Sequence, residues 1–216
     1  MKNIIFVLWP VLVMGGVFND LKTKYIDECP ILIENKYYDV CYGIDYKSPI
    51  AGITRLNNNV NVKNIKKHYY FRSDDRLPKR YRNYSSRFKN SKFNLGHTIV
   101  SDADMDFSIK SLKDTYIMTN ITAQYERTNK YSYLAIEEYI RALATKYHYV
   151  DVLTLIVYGD KKLSDIGIPK TYFKILHYKD YQQCFKIPND NIVYKLDDMI
   201  IDCDEVIKEL KWTMKK

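Results

Sequence analysis

One amphipathic segment followed by two apolar runs constrains the fold more than any other feature of the chain. From residue 129 or 130 to Tyr147, apolar side chains recur at spacings of three and four, which is typical of a helix. Residues 150–158 and 172–178 are rich in Val, Leu and Ile and predict buried strands. Helices and strands do not alternate regularly, so the sequence predicts an α+β fold, a single domain with a mixed or antiparallel sheet.

The remaining segments predict a hairpin, a short strand and a basic surface. Residues 37–44 and 49–56 are aromatic and β-branched runs on either side of a turn, which indicates a hairpin. We expect a further strand over residues 114–121. Residues 66–92 are basic, aromatic and rich in polar side chains, and therefore predict loops and short strands at the surface.

The N-terminus has the layout of a secretory signal. A positive start precedes an uncharged run over residues 4–18, which is shorter than the roughly 18 to 20 residues that a spanning helix needs. Only Gly15 and Gly16 offer small side chains for cleavage, so an uncleaved anchor, with membrane attachment, stays open as an alternative. We expect residues 1–18 to be a signal peptide or N-terminal anchor, residues 20–216 to form the domain, and the protein to be exported, periplasmic or secreted.

Export favours disulfides over metal ligands for the four cysteines, which include no Cys-x-x-Cys pair. Pairing of Cys29 with Cys41, and of Cys184 with Cys203, is the preferred pattern because it ties down both ends of the mature chain. Each bridge would contribute about 2–4 kcal/mol. Buried free thiols are the alternative.

The charge balance indicates a polyanionic partner. The chain has 34 Lys and Arg against 26 Asp and Glu, a net charge of +8, and 21 Tyr. Such a surface suits nucleic acid or anionic lipid. The apolar fraction of 46% excludes a disordered tail and a collagen-like fibre. Much of the positive charge lies in residues 63–92, directly before one of the four histidines.

That histidine is His97. It follows Gly96, which allows close backbone approach, and it precedes Asp102, Asp104 and Asp106. A nuclease needs a base that activates water and a hard cation that neutralises the phosphate. Mg²⁺ keeps several waters and uses one or two protein groups, so one histidine and one amide or carboxylate oxygen suffice. The other histidines lie in a loop, near a helix end and in an expected strand: His68, His148 and His177.

Linked sequence blocks resemble the DNA/RNA non-specific endonuclease family, whose core is the ββα-metal or His-Me finger. They are Asn-Leu-Gly-His at 94–97, Thr-Asn-Ile-Thr-Ala-Gln at 119–124, and Asn129 with Glu137 and Arg141 at the family's spacing. The resemblance implies a ββα-metal core and a metal-dependent endonuclease that hydrolyses DNA and RNA without sequence specificity. The implied cofactor is Mg²⁺ or Mn²⁺, the implied partners are DNA and RNA, and no small-molecule cofactor is expected.

The same resemblance assigns the roles within the site. His97 is the general base, and Asn129 is the single protein ligand of the metal, through its side-chain oxygen. Asn120 holds the histidine side of the site, Glu137 accepts hydrogen bonds from water held by the metal, and Arg141 is its helix partner. Glu137 and Arg141 are four residues apart, so they can pair on one helix face. A helix N-cap is the alternative role of Asn129, and a plain surface ion pair is the alternative for the other two.

The chain departs from the family pattern at charged positions. Where the family has Asp-Arg before Gly-His, this chain has Asn94 and Leu95, and a further family arginine is absent around residues 67–69. Loss of one preorganised donor costs about 10²–10³ in rate. A weakened or inactive relative that binds nucleic acid is therefore the alternative function, and an exported disulfide-stabilised protein without a nucleic-acid role is a third. Arginines that could bind substrate instead are Arg72, Arg76, Arg82, Arg87 and Arg127.

Overall fold

A computed structural model describes residues 11–61 and 65–213 of the chain. The helices are α1 (Val11–Lys22), α2 (Ile109–Thr115), α3 (Leu134–Tyr147) and α4 (Cys203–Thr213). The strands are β1 (Ile31–Glu34), β2 (Tyr38–Gly43), β3 (Ser48–Asn57), β4 (Phe93–His97), β5 (Ile121–Tyr125), β6 (Tyr149–Leu163), β7 (Ile166–Tyr178), β8 (Tyr181–Pro188) and β9 (Ile200–Ile201). Single π-helical turns cover Thr23–Asp27 and Thr128–Tyr133, and short 3₁₀ turns cover Asn58–Asn61, Lys79–Tyr81, Ser85–Phe88, Met118–Asn120 and Asp197–Met199.

The described strands form one large sheet and one small sheet, and both are antiparallel. The large sheet has the order β1-β2-β3-β6-β7-β8-β9, and β4 pairs with β5 in the small one. The predicted α+β class is confirmed, as are the β2–β3 hairpin and the two apolar strands, which became the longer β6 and β7.

Strand β7 is buried on both faces because the large sheet has a hydrophobic core on each side. Tyr172 and Leu176 belong to the core that α3 covers. Phe173 and Ile175 point to the other face, into the core that includes residues of α1 and α4. The near-continuous apolar run of β7 follows from this double burial.

The small sheet and the helix after it form the ββα unit in which the candidate residues lie. Strands β4 and β5 pair with His97 opposite Ile121, at the end of β4. Residues Thr128–Tyr133 then make a π-helical turn that runs directly into α3. The helix predicted from residue 129 or 130 to Tyr147 is therefore present, with its first turn wound more widely than an α-helix.

The predicted strand over residues 114–121 is wrong. The segment holds the end of α2 and a 3₁₀ turn, because the Ser108 side chain accepts from the backbone N–H of Ser111 and so starts a helix. Within the expected strand, Ile117 makes only an isolated bridge with Arg72. The short strands expected within residues 66–92 are likewise replaced by 3₁₀ turns and extended loops.

The N-terminal expectation falls largely outside the described residues, which begin at Val11. Phe18 and Leu21 of α1 are buried, and the ring of Phe18 stacks on His177 of β7 with centroids 5.6 Å apart. The end of the expected signal or anchor segment therefore packs on the large sheet. No helix in the described part of the chain is long and apolar enough to cross a membrane.

One of the two preferred cysteine pairings is present as a disulfide. Cys184 of β8 is bonded to Cys203 at the start of α4, which confirms that prediction. Cys29 and Cys41 are free thiols, so the second predicted bridge is not formed, although the two side chains are hydrogen-bonding neighbours. Burial, together with the neighbouring thiol, raises the pKa of Cys41 well above its ordinary value.

Candidate active site

His97 lies at the end of β4 with its ring between aromatic side chains. The centroid of the half-buried imidazole is 5.5 Å from that of Phe71 and 5.0 Å from that of Tyr116. Its Nε2 is fully buried and has no hydrogen-bond partner in the described structure. Burial lowers the pKa of His97, against an opposing effect of Asp102 and Asp104. The ring is therefore neutral at neutral pH, the form that a general base requires.

Tyr116 lies between His97 and the exposed loop that contains His68. Its hydroxyl donates to Asp102 at 3.2 Å and lies 3.2 Å from Nδ1 of the exposed His68. Burial, strengthened by Asp102, raises the pKa of Tyr116 to about 12, so the phenol stays protonated. His68 is thus linked, through the Tyr116 hydroxyl, to the ring that packs on His97.

Gln124 links His97 to Asn129, the expected metal ligand. Its Nε2 donates to the carbonyl oxygen of His97 at 3.4 Å, and its Oε1 accepts from Asn129 Nδ2 at 2.7 Å. Because Asn129 uses its amino group in this bond, its Oδ1 is left for another partner. Gly96 makes the room, since a Cβ there would stand 2.1 Å from Gln124 Cδ. The sequence feature that points to Gln124 is its place in the block of residues 119–124, and that feature alone does not predict its contacts.

Asn129 lies in the π-helical turn and does not cap a helix. The residue before that turn is Arg127, and no side chain there makes a capping hydrogen bond, so the N-cap alternative is wrong. Thr128 fixes the turn by donating to the carbonyl oxygen of Asp190 at 2.7 Å. The turn therefore holds Asn129 in place while its side chain remains half-buried and accessible.

The donors around Asn129 suit a hydrated hard cation. Among residues 11–61 and 65–213, no group of three or more His, Cys, Asp or Glu side chains could hold a metal ion. An Mg²⁺ ion that keeps most of its waters needs only one or two protein oxygens. The Oδ1 of Asn129 is such an oxygen, and Glu137, eight residues further along the chain, accepts no hydrogen bond within the described residues. The residues present fit the expected metal.

Asn120 holds the chain that leaves His97. Its Oδ1 accepts from the backbone N–H groups of Ile99 and Val100, at 3.0 and 3.2 Å. Its Nδ2 donates to the carbonyl oxygens of Val100 and Thr115, at 2.8 and 3.0 Å. The side chain is completely buried and its hydrogen bonds all go to main chain. Asn120 therefore positions the loop after His97, and its side chain is enclosed by the protein.

Glu137 and Arg141 do not pair with each other. Nη1 of Arg141 donates to Asp104 Oδ1 at 3.0 Å and to Ser101 Oγ at 3.3 Å, so the expected ion pair on the helix face is corrected to one between α3 and the loop after β4. The buried carboxylate of Asp104 draws the guanidinium toward that loop. Burial, with the like charge of Asp104, raises the pKa of Glu137 to about 8.

Lys174, a buried lysine that contacts the residue after His97, was not identified from the sequence. Lys174 of β7 is only 2% exposed, and burial lowers its pKa to about 8 against the opposing effects of Glu137 and Asp104. In the sequence it is a single charge within an apolar run, and no spacing relates it to the carboxylates. Its partners became visible only in the tertiary structure.

Four of the five candidate substrate arginines are used in internal ion pairs, whereas Arg127 is not. Arg127 is exposed, lies two residues before Asn129, and makes no hydrogen bond or ion pair with the described residues. It is thus the candidate whose guanidinium is available to a phosphate. The other arginines and their carboxylates are Arg72 with Asp114, Arg76 with Asp74, Arg82 with Asp75, and Arg87 with Asp165.

Leu95 occupies the position of a missing family arginine. It precedes His97 by two residues in β4, so both side chains leave the strand on the same face. Leu95 is partly buried against the small core that includes Phe93 and Met118. Where the family has a charged arginine side chain two residues before the histidine, this chain therefore has an apolar contact of Leu95.

Comparisons with known proteins identify a family and related nucleases. A family model described as DNA/RNA non-specific endonuclease matches residues 22–213. The chain is similar to mitochondrial endonuclease G of Homo sapiens, with 25% identity over 120 residues, covering 49% of this chain and 40% of that protein. It is also similar to the mitochondrial nuclease of Saccharomyces cerevisiae, with 29% identity over 98 residues, covering 45% of this chain and 30% of that protein. The matches thus span less than half of the length of these relatives.

The fold is also that of a solved structure. A chain in the crystal structure of the EndoG/EndoGI complex superposes with a TM-score of 0.75 at 16% sequence identity. The match covers 94% of this chain and 90% of that chain. At this identity the likeness concerns the arrangement of helices and strands.

Proposed function

The chain belongs to the DNA/RNA non-specific endonuclease family, and we propose that it is a metal-dependent endonuclease that cleaves DNA and RNA without sequence specificity. The observation that carries this proposal is the link from His97 through Gln124 to Asn129. It joins a neutral imidazole to an amide oxygen that is left for a cation.

In the proposed reaction His97 takes a proton from the attacking water. Burial keeps its ring neutral and therefore basic at neutral pH. Gln124 holds the carbonyl group of His97 and Asn120 holds the main chain that follows it, so the base does not have to be ordered during the reaction.

Asn129 would hold Mg²⁺ or Mn²⁺ through Oδ1. A bound cation of this kind supplies positive charge for the phosphate and for the leaving oxygen. Glu137, when ionised, offers a carboxylate that orients water near Asn129. Arg141 keeps Asp104 paired, so that this second carboxylate does not compete for the same cation.

Binding of the substrate backbone is assigned to Arg127 and to the basic segment before β4. Arg127 has an unpaired guanidinium within the described chain, and a guanidinium matches the geometry of a phosphate. Backbone contacts of this type carry no sequence information, which agrees with non-specific cleavage.

Cleavage assays with single variants test the proposal. The purified protein is incubated with plasmid DNA and with RNA, with Mg²⁺ or Mn²⁺ and then with EDTA. We expect cleavage of both polymers that EDTA abolishes and that His97→Ala lacks. His177→Ala is the control, because His177 stacks on Phe18 on the opposite side of the large sheet. Absence of metal-dependent cleavage, or equal cleavage by His97→Ala, contradicts the proposal.

A relative that binds nucleic acid and cuts poorly is the second candidate, and Leu95 is the observation that favours it. Leu95→Arg places a guanidinium beside His97 and should raise the cleavage rate if this charge limits the reaction. Binding without turnover, with an affinity that falls steeply as salt rises, would support the second candidate. If the wild-type protein cleaves nucleic acid and Leu95→Arg does not raise its cleavage rate, the second candidate is excluded. Arg127 or another cation would then already supply the positive charge of the missing arginine.

Export is proposed together with the activity. The Cys184–Cys203 disulfide supports an oxidising compartment. Fractionation of cells and N-terminal sequencing of the mature protein test this. A released protein that begins after residue 18 indicates a cleaved signal, and a membrane-bound protein that retains Met1 indicates an anchor. A soluble cytoplasmic protein contradicts export.

A further inference from the structure

Lys174 places a cation inside the core that α3 covers. It lies in the middle of β7, opposite Thr154 of β6 and Phe185 of β8 in the sheet register. Its side chain is on the same face of β7 as Tyr172 and Leu176. Burial of an ammonium group costs free energy unless hydrogen bonds and opposite charges compensate for the lost hydration. The partners of the Lys174 ammonium therefore indicate its role.

The ammonium of Lys174 binds the residue that follows the base. Nζ donates to the carbonyl oxygen of Thr98 and to Thr154 Oγ1, both at 3.2 Å, and lies 4.9 Å from the centroid of the Tyr133 ring. Tyr133 donates its hydroxyl to the same Thr98 carbonyl at 2.6 Å. The peptide after His97 is thus held both from β7 and from the end of the π-helical turn that precedes α3.

The charges around Lys174 are those of the candidate site. Glu137 follows Tyr133 by four residues, so it lies on the helix face whose Tyr133 ring packs on Lys174. Glu137 and Asp104, in the loop after β4, are the anionic groups that act on the lysine. Asp104 is already paired with Arg141, whereas Glu137 has no ion-pair partner in the described chain. Lys174 is therefore the buried positive charge available to balance the carboxylate of Glu137.

We propose that Lys174 is a positioning residue of the nuclease site, which fixes the Thr98 peptide behind His97 and supplies the buried positive charge that favours ionised Glu137. The inference rests on the proposed function for its consequence in cleavage. Lys174 does not touch the substrate, because its ammonium is enclosed between the sheet and α3.

Two variants separate the two roles. Lys174→Met keeps the stem and removes the charge and the donor, and Lys174→Gln removes the charge but retains a donor for Thr98. The groups that face Glu137 are Asp104 and Asp102 from the loop after β4, Lys174 from β7 and Arg141 from its own helix. Both variants leave the other three in place.

Thr154→Val is the matched control. Thr154 accepts from the same ammonium on the neighbouring strand and is equally buried, so its loss disturbs the local hydrogen bonds without removing the cation. If Lys174 acted only as a structural group, the control and Lys174→Met would have the same effect.

The measurements are cleavage kinetics over pH and a metal-free titration of the Glu137 carboxyl carbon by NMR. We expect kcat of Lys174→Met to fall about 10–100-fold, the range for loss of a supporting group, with a smaller change in KM. The acidic limb of its pH profile and the Glu137 titration should both move to higher pH. Lys174→Gln should recover part of kcat at high pH, and Thr154→Val should keep the wild-type profile.

The titration decides the inference even if the wild-type protein does not cleave. The inference is overturned if the Glu137 titration is the same in Lys174→Met and Lys174→Gln as in the wild type. It is also overturned if Thr154→Val shifts the Glu137 titration as much as Lys174→Met does. If Lys174→Met does not fold, Lys174→Gln alone decides. A wild-type protein without activity but with the expected Glu137 shift contradicts the proposed function and supports the charge role of Lys174.

Discussion

The side-chain amide of Asn129 donates to Gln124 Oε1 at 2.7 Å, and this bond sets the orientation of the expected metal ligand. Gln124 in turn donates its own amino group to the main chain of His97. The orientation of both amides follows from one chain of donors and acceptors, because the carbonyl of His97 can only accept. His97 and Asn129 are therefore fixed relative to each other by one buried side chain.

Replacement of Gln124 by Leu should weaken metal binding. The variant frees the Asn129 amide to rotate and leaves the His97 carbonyl without this donor, so we expect an Mg²⁺ affinity about 10–100-fold lower. Mg²⁺ titration of cleavage, or calorimetry, measures the effect. Thr122→Val on the same strand is the control, since Thr122 bonds Thr98 and Tyr172 and not Asn129. Wild-type metal affinity in Gln124→Leu would contradict the role of the bond.

Gly96→Ala should disrupt the site by overpacking. The new Cβ would stand 2.1 Å from Gln124 Cδ, which is too close for van der Waals contact, so Gln124 must move. Overpacking of this kind costs about 1–3 kcal/mol of unfolding free energy. Gly159→Ala is the control, because its nearest neighbour would be 4.0 Å away. Urea unfolding and cleavage of both variants test this, and equal stability of the two would refute it.

The lowered pKa of His97 should make stability depend on pH. In the unfolded chain His97 binds a proton near the ordinary histidine pKa of about 6.5, whereas in the folded protein burial lowers the pKa of His97. Stability contributed by the neutral ring is therefore present above about pH 6.5 and is lost as pH falls below it. His97→Gln should lose less unfolding free energy than wild type between about pH 7.5 and 5.5. Parallel losses in both proteins would show that the pKa is not lowered.

Loss of the Cys184–Cys203 disulfide should destabilise the attachment of α4 to β8. The bridge spans 19 residues along the chain, and its removal is expected to cost about 2–4 kcal/mol. Unfolding of Cys203→Ser, with and without reductant, measures the cost. Cys29→Ser is the comparison, since that thiol is free in the structure. An unchanged midpoint in Cys203→Ser would indicate that the bridge does not form in solution.

Local patterns determined which parts of this fold were predictable. Helix α3 and strands β6 and β7 carry their own periodicity and composition, and they were identified correctly. The strand expected around Ile117 was wrong because a short apolar run suits a buried turn as well as a strand, and the Ser108 cap that starts α2 lies outside that run.

The site was predictable only where its residues belong to a known spacing. The roles of His97 and Asn129 are predictions that rest on the family motif, and the structure links the two residues through Gln124. The pairing of Arg141 with Asp104, and the approach of Lys174 to Thr98, depend on how α3 and β7 meet the loop after β4. No single segment of the sequence encodes these contacts, so helix spacing alone suggested the wrong partner for Arg141.

The most direct test compares cleavage by His97→Ala and Asn129→Ala over a wide range of Mg²⁺ concentrations. A lost ligand is partly compensated by more metal, whereas a lost base is not. We predict that Asn129→Ala regains activity as Mg²⁺ rises and that His97→Ala stays inactive at every concentration. Activity of either variant equal to wild type at low Mg²⁺, or cleavage by wild type in EDTA, would contradict the account.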